Sequence, residues 1–156
     1  MTMATIESRL AELGITLPEP PAPVATYVPF TIHQGVVTIS GQLPLRDGAL
    51  LATGKLGAEV SVEAGKAAAR ACFINLLAQL RAACDGDLGR VRRVLRLGGF
   101  IASTPDFTQQ AAVMNGASDL AVEIFGDIGR HARSTIGVAV LPLDAAVEVE
   151  GLFAIG

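Results

Sequence analysis

At 156 residues, 51% of them hydrophobic, the chain is one domain's worth and can bury a real core. Only 17% of residues are charged, and the net charge of -3 argues against a nucleic-acid binder driven by phosphate neutralisation. No apolar run reaches the ~18 residues that span a bilayer, so the apolar surplus is expected at an interface between copies, because obligate interfaces resemble a domain core cut in half.

In chain order, residues 4–14 place Ile6, Leu10 and Leu13 at helical spacing and stop at Gly14, which suits the position just past a helix end. Pro18, Pro20, Pro21 and Pro23 then forbid helix and ladder alike and predict an extended arm. Residues 1–24 read as an N-terminal helix and Pro-rich arm, and 25–156 as the domain. Tyr27, the only tyrosine, falls in the β-forming run Thr26-Tyr27-Val28-Pro29-Phe30, a first strand with its proline at an edge or bulge. Gly35 turns the chain into a second strand with Val37 and Ile39 on one face and Val36, Thr38 and Ser40 on the other; it closes at Gly41, where the missing Cβ lets another group come near.

Residues 46–60 read as loop with one short strand near Ala49 to Ala52. An Ala-rich helix runs from a Ser61 cap to about Cys84 and ends at Asp85-Gly86. Its small residues Ala64, Ala67, Ala68, Ala71 and Ala78 would let it lie close to a sheet. Cys72 and Cys84 fall on this one helix, roughly 18 Å apart at about 1.5 Å per residue, too far for the ~7 Å of a disulfide. Two free thiols, with no apolar leader near the N-terminus, predict a cytoplasmic protein. Arg90, Arg92, Arg93 and Arg96 form a basic cluster that reads as a solvated approach to a strand over 90–102, kinked or closely approached at Gly98-Gly99. A second long helix covers 108–126, with Val113, Leu120 and Ile124 inward and Asn115 within it. His33 and His131 are isolated, and no metal-ligand spacing occurs.

The last stretch, Arg133 to Ala154, reads as a β-hairpin turning at Pro142-Leu143-Asp144-Ala145. On its second arm Val147 and Val149 share one face, and Glu148 and Glu150 the other. In that hairpin Arg133 lies opposite Ala154 and Glu148 opposite Ala139, about 20 Å apart at roughly 3.3 Å per residue, so the two side chains cannot meet within one subunit. The whole predicts an α+β fold with a mixed, largely antiparallel sheet and two long helices on one face. The other face, with Val138, Val140, Val147 and Val149 as the suggested contacts, would be covered by partner subunits.

Four motifs in order carry a resemblance: Ser40-Gly41-Gln42-Leu43-Pro44; Asp87 to Val91 as D-L-x-x-V; Phe100 to Phe107 as F-I-A-S-x-x-D-F; and Arg133 to Glu150 as R-S-T…L-P-x-D-A-x-V-E-V-E. Together they resemble the Rid (reactive intermediate deaminase) family, also called the YjgF or L-PSP endoribonuclease-like family, from about residue 24 onward. The resemblance implies a chorismate-mutase-like fold, a homotrimer with ligand clefts between subunits, and hydrolysis of 2-imino acids to 2-oxo acids and ammonia without a cofactor. Carried over by position, Arg133 binds the substrate carboxylate, Glu148 holds the attacking water and Tyr27 is the active-site tyrosine. Ser40, Gly41, Asn115, Ser134 and Thr135 are the substrate-binding positions. Thr135 stands where many members have cysteine, so thiol chemistry is unavailable there. The N-terminal helix and arm, and a longer segment at 108–112, resemble a longer subgroup.

Elementary chemistry assigns the same division of labour. An imino acid needs its carboxylate fixed, which a guanidinium does through two parallel hydrogen bonds, and a water delivered to its C=N carbon, which a carboxylate of raised pKa can orient and deprotonate. Two other classes remain open on the sequence. One is a module that binds small carboxylates without turnover. The other is a ribonuclease, for which the chain offers only scattered histidines and one arginine cluster. Chorismate mutase activity rests on a fold label alone.

Overall fold

A computed structural model describes residues 5–20 and 26–156; Pro21 and Pro23 of the predicted arm lie outside the described residues. Helix α1 spans Ile6–Glu12, with the Thr5 hydroxyl accepting from the Ser8 amide at 3.1 Å and Gly14 in the left-handed region at its end. It docks by burying Leu10 and by donating from Arg9 Nη1 to the Ile124 carbonyl at 2.8 Å.

The sheet is built from β1 (Phe30–His33), β2 (Val36–Gln42), β5 (Val91–Ala102), β6 (Ala132–Val138) and β7 (Val147–Ile155), in the order β1-β2-β7-β5-β6. A separate two-stranded ribbon pairs β3 (Leu45–Arg46) with β4 (Ala49–Leu50) across Asp47-Gly48, both at positive φ as the tight hairpin turn demands. Helices α2 (Val62–Ala83) and α3 (Gln110–Phe125) cover one face of the sheet. The first strand starts at Phe30, so Tyr27 and Val28 precede the sheet rather than belong to it.

The α2 cap is as expected: Ser61 Oγ accepts from the Ala64 amide at 3.1 Å, and Asp85-Gly86 ends the helix at positive φ. Gly65, Ala68, Ala69 and Ala71 turn inward, whereas Ala64 and Ala67 are exposed. Along β7 the alternation is strict. Val147, Val149 and Phe153 are fully buried under the helices, and burying such a side chain stabilises by roughly 1.5–3 kcal/mol. Glu148, Glu150 and Leu152 point to the opposite, open face.

The terminal hairpin is not formed. β6 and β7 run antiparallel, but β5 lies between them, paired parallel to β6 and antiparallel to β7. The physical reason is the β5–α3–β6 crossover, whose helix connection makes β5 and β6 parallel neighbours. The residues between β6 and β7 then arch over the end of β5 instead of turning tightly. Ser103 N donates to Val138 O at 3.0 Å, Ala102 N to Ala146 O at 2.9 Å and Ala146 N to Ala52 O at 3.1 Å. The suggested valine contacts change accordingly. Val147 and Val149 belong to the helix-side core, whereas Val138 keeps the open-face register with Phe100, Ile136 and Leu152, and Val140 is exposed.

A candidate active site in two halves

Strand register decides which face each side chain takes, because residues paired across strands share a face. Glu148 pairs with Phe100, which pairs with Ile136: the open face. Arg133 pairs with Leu97, which pairs with Gly151: the helix face. The two residues are three positions apart along the strands and two strands apart across them, roughly 14 Å, and on opposite sides of one sheet. They cannot meet within one chain. The hairpin argument put them apart for a different reason.

The first half lies on the open face. The β2–β7 register slips between Ile39 and Gln42, so one extra residue bulges at Ser40-Gly41, the kind of irregularity that re-aims groups beside active sites. A Cβ on Gly41 would overlap Glu148 Oε1 and stand 2.9 Å from its Cδ; only glycine leaves the carboxylate its place. Glu148 has no salt-bridge partner among the described residues, whereas Glu150 pairs with Arg96 at 3.5 Å. Burial pushes the Glu148 carboxyl above its ordinary range, and the neighbouring Glu150 charge adds to the shift. Ser40 Oγ donates to Val28 O at 2.8 Å and its amide donates to Pro29 O at 2.9 Å, which fixes the segment carrying Tyr27. Tyr27 itself is 70% exposed. A shallow cavity of about 210 Å³ beside Ser40 and Gly41 is lined also by Val28, Thr38 and Glu150.

The second half lies at the β6 edge, under α3. Arg133 Nη1 donates to Asn115 Oδ1 at 2.9 Å and to Ser118 Oγ at 3.0 Å, and Nη2 to the Ala111 carbonyl at 3.4 Å. Asn115 and Ser118 are one turn apart on the same side of α3, so one helix face holds one guanidinium edge. Thr135, two residues on from Arg133, faces the same way, and its hydroxyl oxygen is buried without a partner among the described residues. Leaving such a group unsatisfied costs about 1–3 kcal/mol.

Of the eight residues singled out from sequence, the structure gathers Ser40, Gly41 and Glu148, with the Tyr27 segment tied to Ser40. It separately gathers Arg133, Asn115 and Thr135. Ser134 goes to neither: it is exposed on the open face, in register with Gly98 and Glu150. Two residues were missed. Ser118 sits three residues after Asn115 on α3, and His131 two residues before Arg133, just ahead of β6. His131 Nε2 is 2.9 Å from Ser118 Oγ, and burial lowers its pKa, with the Arg133 charge acting in the same direction. A cavity of about 520 Å³ between residues 14–18, the β3–β4 ribbon and α2 is lined by none of the predicted residues.

A model of the family described as "YjgF/chorismate_mutase-like, putative endoribonuclease" matches residues 7–155, and so takes in the N-terminal helix that the motif set had not reached. The chain is 48% identical to Protein TCP17 of Trypanosoma cruzi, over 94% of this chain and 92% of that protein. Among solved structures it is similar to the protein Atu1372 of Agrobacterium tumefaciens, of unknown function: 46% identity, TM-score 0.90, covering 97% of this chain and 92% of that one. It is also similar to a "putative endoribonuclease" from Shewanella oneidensis, at 38% identity and TM-score 0.93, covering 97% of this chain and 100% of that one.

Proposed function

The chain belongs to the YjgF/chorismate mutase-like family, and on that premise we propose that it hydrolyses 2-imino acids to 2-oxo acids and ammonia, without a cofactor, at clefts between the subunits of a homotrimer. The observation that carries this reading is the placement of two charged groups on the two faces of one sheet: an arginine held by α3 on one, and on the other a carboxylate of raised pKa with no salt-bridge partner among the described residues. In this reading head-to-tail packing joins the β6 edge of one copy to the open face of the next, a heterologous contact that makes a ring when its rotation closes after three copies.

In the joined site Arg133 grips the substrate carboxylate, and the Thr135 hydroxyl finds its missing partner in the ligand. Glu148 takes a proton from a water as its oxygen adds to the C=N carbon, giving a carbinolamine. The imine enters protonated on nitrogen, so the carbinolamine is neutral; Glu148 then returns that proton to the nitrogen, the C–N bond breaks with its electron pair leaving on ammonia, and the carbinolamine hydroxyl gives its own proton to Glu148 as the C=O group forms. Tyr27 closes the pocket. Positioning is most of what so reactive an electrophile requires.

The test is ammonia release from imines generated in situ by an amino-acid oxidase, which should be faster with the protein than without it. No acceleration by a folded assembly that still binds 2-oxo acids would leave a carboxylate-binding module instead. The acid side of the rate profile gives a second check. Glu148 must be ionised to act as base, and its pKa is raised. The rate should therefore fall on acidification at a pH above that of an exposed glutamate, and Glu148→Asp should move that limb. A limb at ordinary carboxylate pH would remove Glu148 from the role.

Nuclease activity finds little support at the basic cluster. Arg90 is bonded to Asp85 and the Gly156 carbonyl, Arg92 to the Gly89 carbonyl, Arg93 to the Arg130 carbonyl, and Arg96 pairs with Glu150.

A further inference from the structure

We infer that Ser118 and His131 are positioning residues that lock the guanidinium of Arg133 with one edge turned to the incoming carboxylate. The inference rests on Arg133 as the substrate's anchor, and it adds two residues that touch no substrate.

The direction of each hydrogen bond follows from one fixed acceptor. His131 Nδ1 lies 2.7 Å from the Gly129 carbonyl, which can only accept, so Nδ1 carries the ring proton. Nε2 is then a bare lone pair. The Ser118 hydroxyl, 2.9 Å away, donates to it and turns its own lone pairs toward Arg133, where one accepts from Nη1 at 3.0 Å. The second Nη1 proton goes to Asn115 Oδ1. Both protons of Nη1 are thus committed. Nη2 has only the 3.4 Å bond to Ala111, and Nε has no partner among the described residues. The edge left open is Nε with Nη2, which presents two parallel donors to a carboxylate.

The chain works only while the imidazole is neutral. A protonated ring would push an N–H at Ser118 and set a second cation two hydrogen bonds from Arg133. Burial of the ring disfavours that state. His131 is held by the Gly129 carbonyl, just before β6, and Ser118 by α3, so the guanidinium is referenced to two separate elements of the fold. That rigidity is what a positioning pair supplies.

Kinetics and imidazole spectroscopy test this together. Ser118→Ala should raise KM for the imino acid about tenfold, the loss of one hydrogen bond to a charged group, with kcat within about twofold. His131→Gln, whose amide oxygen can accept from Ser118, should stay near the wild-type KM, while His131→Leu should resemble Ser118→Ala. Independently of turnover, nitrogen chemical shifts of wild-type His131 should report the neutral Nδ1–H tautomer, and Arg133→Gln should move the His131 titration upward by removing a neighbouring cation. An unchanged KM in Ser118→Ala, a glutamine variant no better than leucine, an Nε2–H tautomer, or a titration unmoved by Arg133→Gln would each overturn the inference. If the wild type releases no ammonia, the proposed reaction fails, and the tautomer and titration still decide whether the pair holds Arg133.

Discussion

Arg133→Ala and Glu148→Gln, each nearly inactive alone, are expected to regain about one quarter of the wild-type rate when unfolded together in equal amounts and refolded. Truncating one partner of a hydrogen-bonded charge pair costs about 2–5 kcal/mol, so Arg133→Ala should lose about 1.5 to 3.5 orders of magnitude in kcat/KM. Replacing the base with an amide that cannot take a proton should lose about 10²–10⁴. Neither loss can be repaired within one chain, because the two residues sit on opposite faces of the sheet. Between chains it can. A site is whole when a Glu148→Gln copy supplies Arg133 and an Arg133→Ala copy supplies Glu148. Random assembly puts the right copy on the first side about half the time and on the second side about half the time, which gives the quarter. Native mass spectrometry would establish that mixed assemblies had formed. Mixed assemblies without recovered rate would show that the two halves do not make one site.

Gly116→Ala should lower stability by about 3 kcal/mol, or roughly 10 °C in Tm for a chain of this size. On an exposed helix the same change would stabilise by up to about 1 kcal/mol, because alanine is the better helix former. Here the new methyl would overlap the Lys66 carbonyl oxygen and stand 2.8 Å from its carbon and 3.0 Å from the Lys66 Cα. A flexible side chain could swing aside; backbone in the middle of a helix turn cannot, so α2 and α3 must separate. Asn115 is the adjacent residue, and the Arg133 grip would loosen with it. A thermal melt reads the first effect. A Tm equal to or above that of the wild type would mean that the helices approach each other less closely than described.

What could be read from sequence was what local chemistry decides. The Ser61 cap, the Asp85-Gly86 stop, the in-out alternation of Val147 to Glu150 and the close approach at Gly41 all follow from residues within a few positions of one another. The hairpin failed because nothing in residues 139–146 tells whether their two flanking strands are neighbours or stand one strand apart; eight residues suffice for either. That choice is made by β5, some forty residues upstream, and by the helix that carries the chain from β5 to β6. The same gap hid the two faces of the site. Alternation fixes the sides of Glu148 and Arg133 within their own strands, but only the register through Phe100 and Leu97 relates one to the other. Ser118 was hidden differently. A serine in a helix has no signature until the arginine it serves is seen above it.

β7 is the last strand in the sequence, yet it lies at the middle of the sheet, between β2 and β5. During synthesis, β1 with β2 and the β5–α3–β6 unit emerge as two pieces, each with an unpaired edge waiting. Val147, Val149 and Phe153, which fill the helix-side core, arrive only at the end. At ~5–20 residues per second the growing chain spends several seconds with both edges open after β5 has emerged. The final segment is therefore the keystone: it joins the two pieces and delivers Glu148 to Gly41 in the same act. A ribosome that stops before Val147 leaves two fragments of a sheet rather than a slightly shortened protein.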